Sequence, residues 1–126
     1  SSQPRATLRG QLRGRPDATC ELMVIRPRPY MVPTDGPIGD LLRVSHRDAW
    51  RPAHYHVIVE APGYRTLVTE IFDAEDPYVA QDAVFGVRDS LVADFKPGDD
   101  PAVREKYQLA GAYRVVDCPV KLAPAS

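Results

Sequence analysis

The chain has 126 residues, 44% of them hydrophobic and 26% charged, with a formal net charge of -1; that balance excludes a disordered or fibrous chain and suits one soluble domain over residues 1–126. With 16 lysines and arginines against 17 aspartates and glutamates, there is no field to draw in nucleic-acid phosphates or an anionic membrane surface, and neither is expected as a partner. No apolar run approaches the roughly 18 residues of a membrane span, and the first residues have no apolar leader core, so the cytoplasm is the expected location.

Cys20 and Cys118 lack the spacing of a zinc or redox pair and are expected to be ordinary buried thiols. The 13 prolines are spread along the chain, as rigid loops between short strands would require. In chain order, Thr7 to Leu12 and Cys20 to Ile25 alternate apolar residues around the turn-forming Gly14-Arg15-Pro16-Asp17, which predicts a hairpin. Four prolines between Arg26 and Pro37 make that segment a stiff loop, with Tyr30 upon it. Residues around Leu41 and Leu42 suit one or two helical turns before Pro52. His54 to Glu60 is the clearest strand; Ala61-Pro62-Gly63-Tyr64 turns it, and Arg65 to Phe72 returns as its partner. After an acidic loop from Asp73 to Asp82, residues 83–95 are expected to supply one or two strands ending at Lys96-Pro97-Gly98. Asp100 reads as the N-cap of a short helix with Pro101 at its first position, and Ala112 to Leu122 as a last strand. The fold class is therefore all-β, a β-sandwich of short mixed strands with long proline-rich loops and one or two short helices.

Side chains alternate faces along a strand, so His54 and His56 project from one side about 7 Å apart, a spacing that lets two imidazoles reach one metal ion. The same pattern also describes a surface pair or a hydrogen-bonded core pair. His46, between charged neighbours, reads as a solvated loop residue. Tyr30 would offer an anionic phenolate and Arg51 a charge-stabilising donor, and phenolate with imidazole is a hard set suited to ferric iron. On the residues alone, Tyr30 packing across its loop and Arg51 pairing with a carboxylate such as Asp48 are equal alternatives.

The segments YMVPTDGPIGDLL, WRPAHYHVIV, APGYRTLVTEIF and DPYVAQDAVFGVRDSLV resemble consecutive blocks of the intradiol ring-cleavage dioxygenases, most closely the hydroxyquinol 1,2-dioxygenase branch, over about Leu8 to Phe95. The resemblance implies a β-sandwich catalytic domain holding a mononuclear non-haem Fe(III) through two tyrosines and two histidines. By motif, Tyr30 corresponds to the second tyrosine ligand, His54 and His56 to both histidines, and Arg51 to the arginine that stabilises negative charge developing on the substrate. The implied reaction is O2-dependent cleavage between the two hydroxylated carbons of a small aromatic diol, giving a ring-opened dicarboxylate.

Three departures qualify that correspondence. The family's first tyrosine ligand lies about three dozen residues before the second; no tyrosine precedes Tyr30 here and the chain does not begin with Met, so the sequence is expected to be a catalytic domain lacking its amino-terminal part. Glu70 stands where relatives commonly carry a neutral or basic polar residue beside the iron, and would be a partner of the ligands, a substitute ligand or an outward-facing acid. Ala83 and Val84 replace bulkier aromatic residues of catechol cleavers and leave room for a third hydroxyl, favouring hydroxyquinol. Asp35-Gly36 and Asp76-Pro77-Tyr78 match family loops and read as structural, while Trp50, Tyr64 and Phe85 read as core. Two functions follow as expectations: an Fe(III) dioxygenase acting on hydroxyquinol or a substituted catechol, or a non-catalytic β-sandwich binding or assembly module derived from that family, with a homo-oligomer expected under either.

Overall fold

The computed structural model describes residues 8–125. Ten short elements follow in order: β1 (Tyr30–Met31), α1 (Pro37–Val44), β2 (Trp50–Arg51), β3 (His54–Val59), β4 (Leu67–Asp73), a 3-10 turn (Asp89–Leu91), β5 (Val92–Ala93), β6 (Lys96–Gly98), α2 (Pro101–Lys106) and β7 (Tyr113–Val115). Sheet dominates and helix is scarce, as the all-β reading expects. The strands form three small sheets, β1-β2, β3-β4-β5 and β6-β7.

The β3-β4 hairpin is the backbone of the molecule. Its strands are rich in valine, isoleucine and threonine, whose branched side chains suit a pleated surface, and the connecting turn closes with the Tyr64 amide on the Ala61 carbonyl at 3.1 Å and Gly63 at φ 80°. The pairing is antiparallel with His54 opposite Phe72, His56 opposite Glu70 and Ile58 opposite Val68. On the other face Tyr55 stacks on Phe95, ring centroids 6.0 Å apart, and donates to the Ile25 carbonyl. Phe72 is fully buried and pairs in parallel with Val92, so β5 seals the end of β4 beside the histidines.

The segment between β4 and β5 is held by its own acids. Asp76 accepts from the amides of Ala53 and Tyr78, Asp73 accepts from the Glu75 amide and from Arg26, and both side chains are buried. Buried carboxylates are tolerable because each is hydrogen-bonded. Trp50 and Tyr78 stack at 5.1 Å across the same segment, in keeping with a structural role for Asp76-Pro77-Tyr78.

Helix α1 starts at Gly36 with Pro37 in its first turn and stops at Ser45, whose amide and hydroxyl both reach the Leu41 carbonyl. Leu42 drops from it into a cluster with Ala49, Ala83 and Val32. Helix α2 carries the expected cap, the Asp100 carboxylate accepting from the Ala102 amide at 2.8 Å.

Several expectations give way. No strand forms between residues 8 and 29, and Thr7 lies outside the described residues. The turn itself is made, with the Arg15 amide on the Thr19 carbonyl and Asp17 accepting from Thr19. Its arms leave Leu12, Leu22, Met23, Val24 and Ile25 exposed, and alternation without a face to bury does not hold two strands together. Tyr30 sits in a two-residue ladder rather than wholly in a loop. Residues 83–95 yield one strand, β5, after a 3-10 turn, within the expected one or two, but Lys96–Gly98 forms the strand β6 rather than a terminating turn, and the last strand shrinks to Tyr113–Val115. Pro119 has no amide to offer a ladder beyond it. Tyr64 and Phe85 are exposed rather than core; Phe85 has φ 56° and lies beneath the Arg47 guanidinium at 3.8 Å. Cys20 is exposed and Cys118 half-buried, both as free thiols. Among the described residues no helix is long and apolar enough to cross a membrane.

Gly39 offers a direct test of the α1 packing. A Cβ built there would lie 2.1 Å from the Thr34 carbonyl oxygen, a backbone atom that cannot swing aside. Gly39→Ala is therefore expected to lower stability by about 1–3 kcal/mol, against the roughly 1 kcal/mol gain that alanine ordinarily brings to a helix interior. Urea unfolding of the two proteins decides the sign.

Candidate metal centre

The two short ladders converge on one spot. In β1-β2, Tyr30 stands opposite Arg51; three residues after Arg51, β3 begins with His54 and His56 on the face that β4 lines with Glu70. The imidazoles meet edge to face with centroids 4.9 Å apart, and the Tyr30 ring lies 5.7 Å from that of His54. One donor atom from each of His54, His56 and Glu70 can be chosen so that all three lie within 4.8 Å of one another.

Local bonds fix the chemistry of His54. Its Nδ1 lies 2.7 Å from the Pro52 carbonyl oxygen, which can only accept, so Nδ1 carries the proton and Nε2 presents a lone pair to the site. Phe72 packs against the same ring at 5.3 Å. The His54 side chain is almost wholly enclosed and that of His56 is open to solvent, so the site is enclosed on one side and open on the other.

Arg51 occupies the centre. Only 6% of it is exposed, and its guanidinium is shared out completely. Nε and Nη2 donate to the two Asp82 oxygens at 3.0 and 3.3 Å, Nη1 and Nη2 donate to the two Glu70 oxygens at 3.2 and 2.9 Å, and Nη1 approaches His54 Nε2 at 3.3 Å. Burial would pull its pKa down, but the hydrogen bonds to Glu70 and Asp82 outweigh it and hold the group charged. Burial likewise pushes Glu70 and Asp82 up, and Arg51 more than reverses it, leaving both below the ordinary carboxylate range. Asp82 also accepts from the Val84 and Gly86 amides at 3.3 and 2.8 Å.

The profile of a family described as Dioxygenase matches residues 1–114. The chain is 49% identical over 111 residues to a hydroxyquinol 1,2-dioxygenase of a Rhizobium species, covering 88% of this chain and 38% of that protein. A Nocardioides simplex hydroxyquinol 1,2-dioxygenase is 40% identical over 123 residues, 96% of this chain and 42% of its own length. The chain belongs to the intradiol ring-cleavage dioxygenase family. Among solved structures, an Acinetobacter catechol 1,2-dioxygenase superposes with a TM-score of 0.73 at 34% identity, over 82% of this chain and 33% of that one. A Pseudomonas putida hydroxyquinol 1,2-dioxygenase does so at 0.62 and 39%, over 80% and 35%. The chain spans about two-fifths of the length of these curated relatives.

In this dioxygenase chain, five of the residues singled out by sequence, Tyr30, Arg51, His54, His56 and Glu70, come together. Ala83 and Val84 do not touch them directly: Ala83 is buried against Leu42 and Ala49, and Val84 lines an apolar groove with Ile38, Leu41 and Phe85. Asp82, just before them, is the link to the site. The sequence reading gave no role to Asp82, Gly86 or the Pro52 carbonyl, and offered Asp48 only as an example of a carboxylate that Arg51 could pair with. A Cβ on Gly86 would come within 3.0 Å of Arg51 Nη2 and 3.1 Å of Glu70 Oε2, so the glycine lets the loop close on the guanidinium. The legible signal was an aspartate four residues before a glycine, a spacing that lets one carboxylate collect loop amides.

The residues fit the family's ferric ion. Two imidazoles, a phenol and a carboxylate are hard oxygen and nitrogen donors, and the Pro52 bond already sets His54 in the tautomer a metal requires.

Asp82→Asn removes one of the two counter-charges of a buried arginine, and a loss of about 3 kcal/mol is expected at pH 7. The acid limb should change too. Because the folded Asp82 carboxyl lies below its ordinary value of 3.8, its contribution is complete above that pH and fades as the pH falls through the depressed value. Denaturant midpoints measured from pH 7 to pH 2 should therefore fall less steeply below pH 3.8 in the variant than in the parent.

Proposed function

We propose that this chain is part of the catalytic β-sandwich of a non-haem Fe(III) dioxygenase that opens hydroxyquinol or a substituted catechol with O2. The observation that supports it most is the convergence of Tyr30, His54 and His56 around Arg51, because Tyr30 belongs to a different sheet from the histidines and is distant from them in sequence, yet its ring lies 5.7 Å from that of His54. Tyr30, His54 and His56 are assigned as metal ligands, Arg51 as the electrostatic stabiliser, and Glu70 as the carboxylate that faces them; Ala83 and Val84, packed away from this spot, are not assigned to it.

The bound ferric ion would supply Lewis acidity and an electron path between a chelated diol and O2, with both oxygen atoms retained in the ring-opened dicarboxylate. The chain's residues do the rest. The His54 ring is oriented by its Nδ1 bond to the Pro52 carbonyl, which turns Nε2 toward the site. Arg51, held charged by two carboxylates, cannot take a proton and serves only to stabilise negative charge on the substrate. Tyr30 is half-exposed at the mouth, where its phenolate is free to accept a proton from an incoming diol.

The reading extends to the cytoplasm as location, in keeping with the free thiols of Cys20 and Cys118. It also extends to a homo-oligomer, since the exposed run from Leu22 to Ile25 has no strand partner among the described residues. The competing reading is a binding or assembly module without turnover.

Addition of Fe(III) is expected to give a visible tyrosinate-to-iron charge-transfer band that Tyr30→Phe abolishes. Hydroxyquinol under air should shift that band and consume O2. A band without O2 consumption would favour the module, and no band would remove Tyr30 from the ligand set.

A further inference from the structure

We propose that Glu70 is itself a metal ligand, so that the centre is built from two imidazoles, a carboxylate and a phenolate. The inference rests on the metal-centre reading above and concerns which side chain supplies an anionic donor.

The geometry comes from sheet pairing rather than from a mobile loop. His56 and Glu70 are directly opposed in β3-β4, and His54 is the diagonal neighbour on the same face, so the backbone ladder sets their separation. Glu70 Oε1 lies 3.3 Å from His56 Nδ1 and 3.8 Å from His54 Nε2. Donors bound about 2.1 Å from a cation at tetrahedral to octahedral angles stand roughly 3.0–3.4 Å apart, so a few tenths of an ångström bring Oε1 into register with both rings.

The two carboxylate oxygens are already differentiated. Oε2 makes the shorter bond to Arg51 Nη2, 2.9 Å, while Oε1, the oxygen facing the imidazoles, keeps the longer 3.2 Å bond to Nη1. One oxygen can therefore hold the guanidinium while the other holds a cation. Nη1 also lies against the His54 Nε2 lone pair; a cation would replace one weak donor at both atoms and leave the Asp82 and Oε2 bonds of Arg51 in place.

Charge points the same way. One guanidinium against two buried carboxylates leaves one negative charge in excess, in a partly desolvated place where a hard cation is the natural counter-charge.

The test is a Co(II) titration of the full chain followed through the ligand-field absorption, with Glu70→Gln, His56→Ala and Tyr30→Phe alongside, and thermal unfolding of each metal-free protein as a control for folding. Glu70→Gln is expected to weaken Co(II) binding at least 10-fold and to change the position and intensity of the bands. Weaker binding with unchanged bands would mean that Glu70 acts only through Arg51 and the histidines, and overturns the proposal. So would unchanged binding in Glu70→Gln together with loss in His56→Ala, an outcome that leaves the metal-centre reading standing. Absence of Co(II) binding in the parent chain would overturn both.

Discussion

The Arg51 guanidinium, enclosed between the Asp82 and Glu70 carboxylates, is the interaction on which the rest of the site depends. It ties β2 to β4 and to the loop that follows Asp82, three pieces with no hydrogen-bonded ladder in common. A buried guanidinium is costly to desolvate, and each lost partner leaves an uncompensated charge. Every donor therefore has to be matched, and the matching positions the neighbours. Gly86 lacks a side chain because the loop must close on Arg51, and the Pro52 carbonyl faces His54 because Arg51 and His54 flank a short, buried turn of chain.

Preorganisation here has two sources of different stiffness. His54, His56 and Glu70 are placed by the β3-β4 register, in which a one-residue slip would send Glu70 to the face opposite the two histidines. Tyr30 is placed by only a two-residue ladder and is half-exposed. Tyr30 is thus the most loosely held of the candidate ligands, and the imidazoles and carboxylate are the most firmly placed.

Those two sources also explain what could be read from sequence. The β3-β4 hairpin was legible because its alternation, its β-branched residues and its Pro-Gly turn all agree, and the Asp100 cap because capping is local chemistry. Facing of His54 and His56 followed from strand period alone. The absent hairpin over residues 8–29 shows the converse: the Pro16-Asp17 turn formed, but whether Leu22 to Ile25 find a partner is a tertiary question that alternation cannot answer. The partners of Arg51 were invisible for the same reason. Asp48 is three residues away in sequence, whereas Asp82 is 31 away and becomes the partner only because the loop after β4 folds back.

Glu70 puts two cations in competition for one carboxylate. Arg51 cannot lose its proton, and its Nη1 reaches both Oε1 and the His54 Nε2 lone pair, the two atoms that face a cation. A neutral glutamine at this position would leave Arg51 with Asp82 as its one carboxylate partner and would present the ion with a carbonyl oxygen in place of an anion. A glutamate instead lets the charge be divided, Oε2 to the guanidinium and Oε1 to the cation. Occupation of the site then relieves the excess negative charge without stripping Arg51 of its counter-ions, and the arginine remains poised beside the histidines to meet charge developing on a substrate.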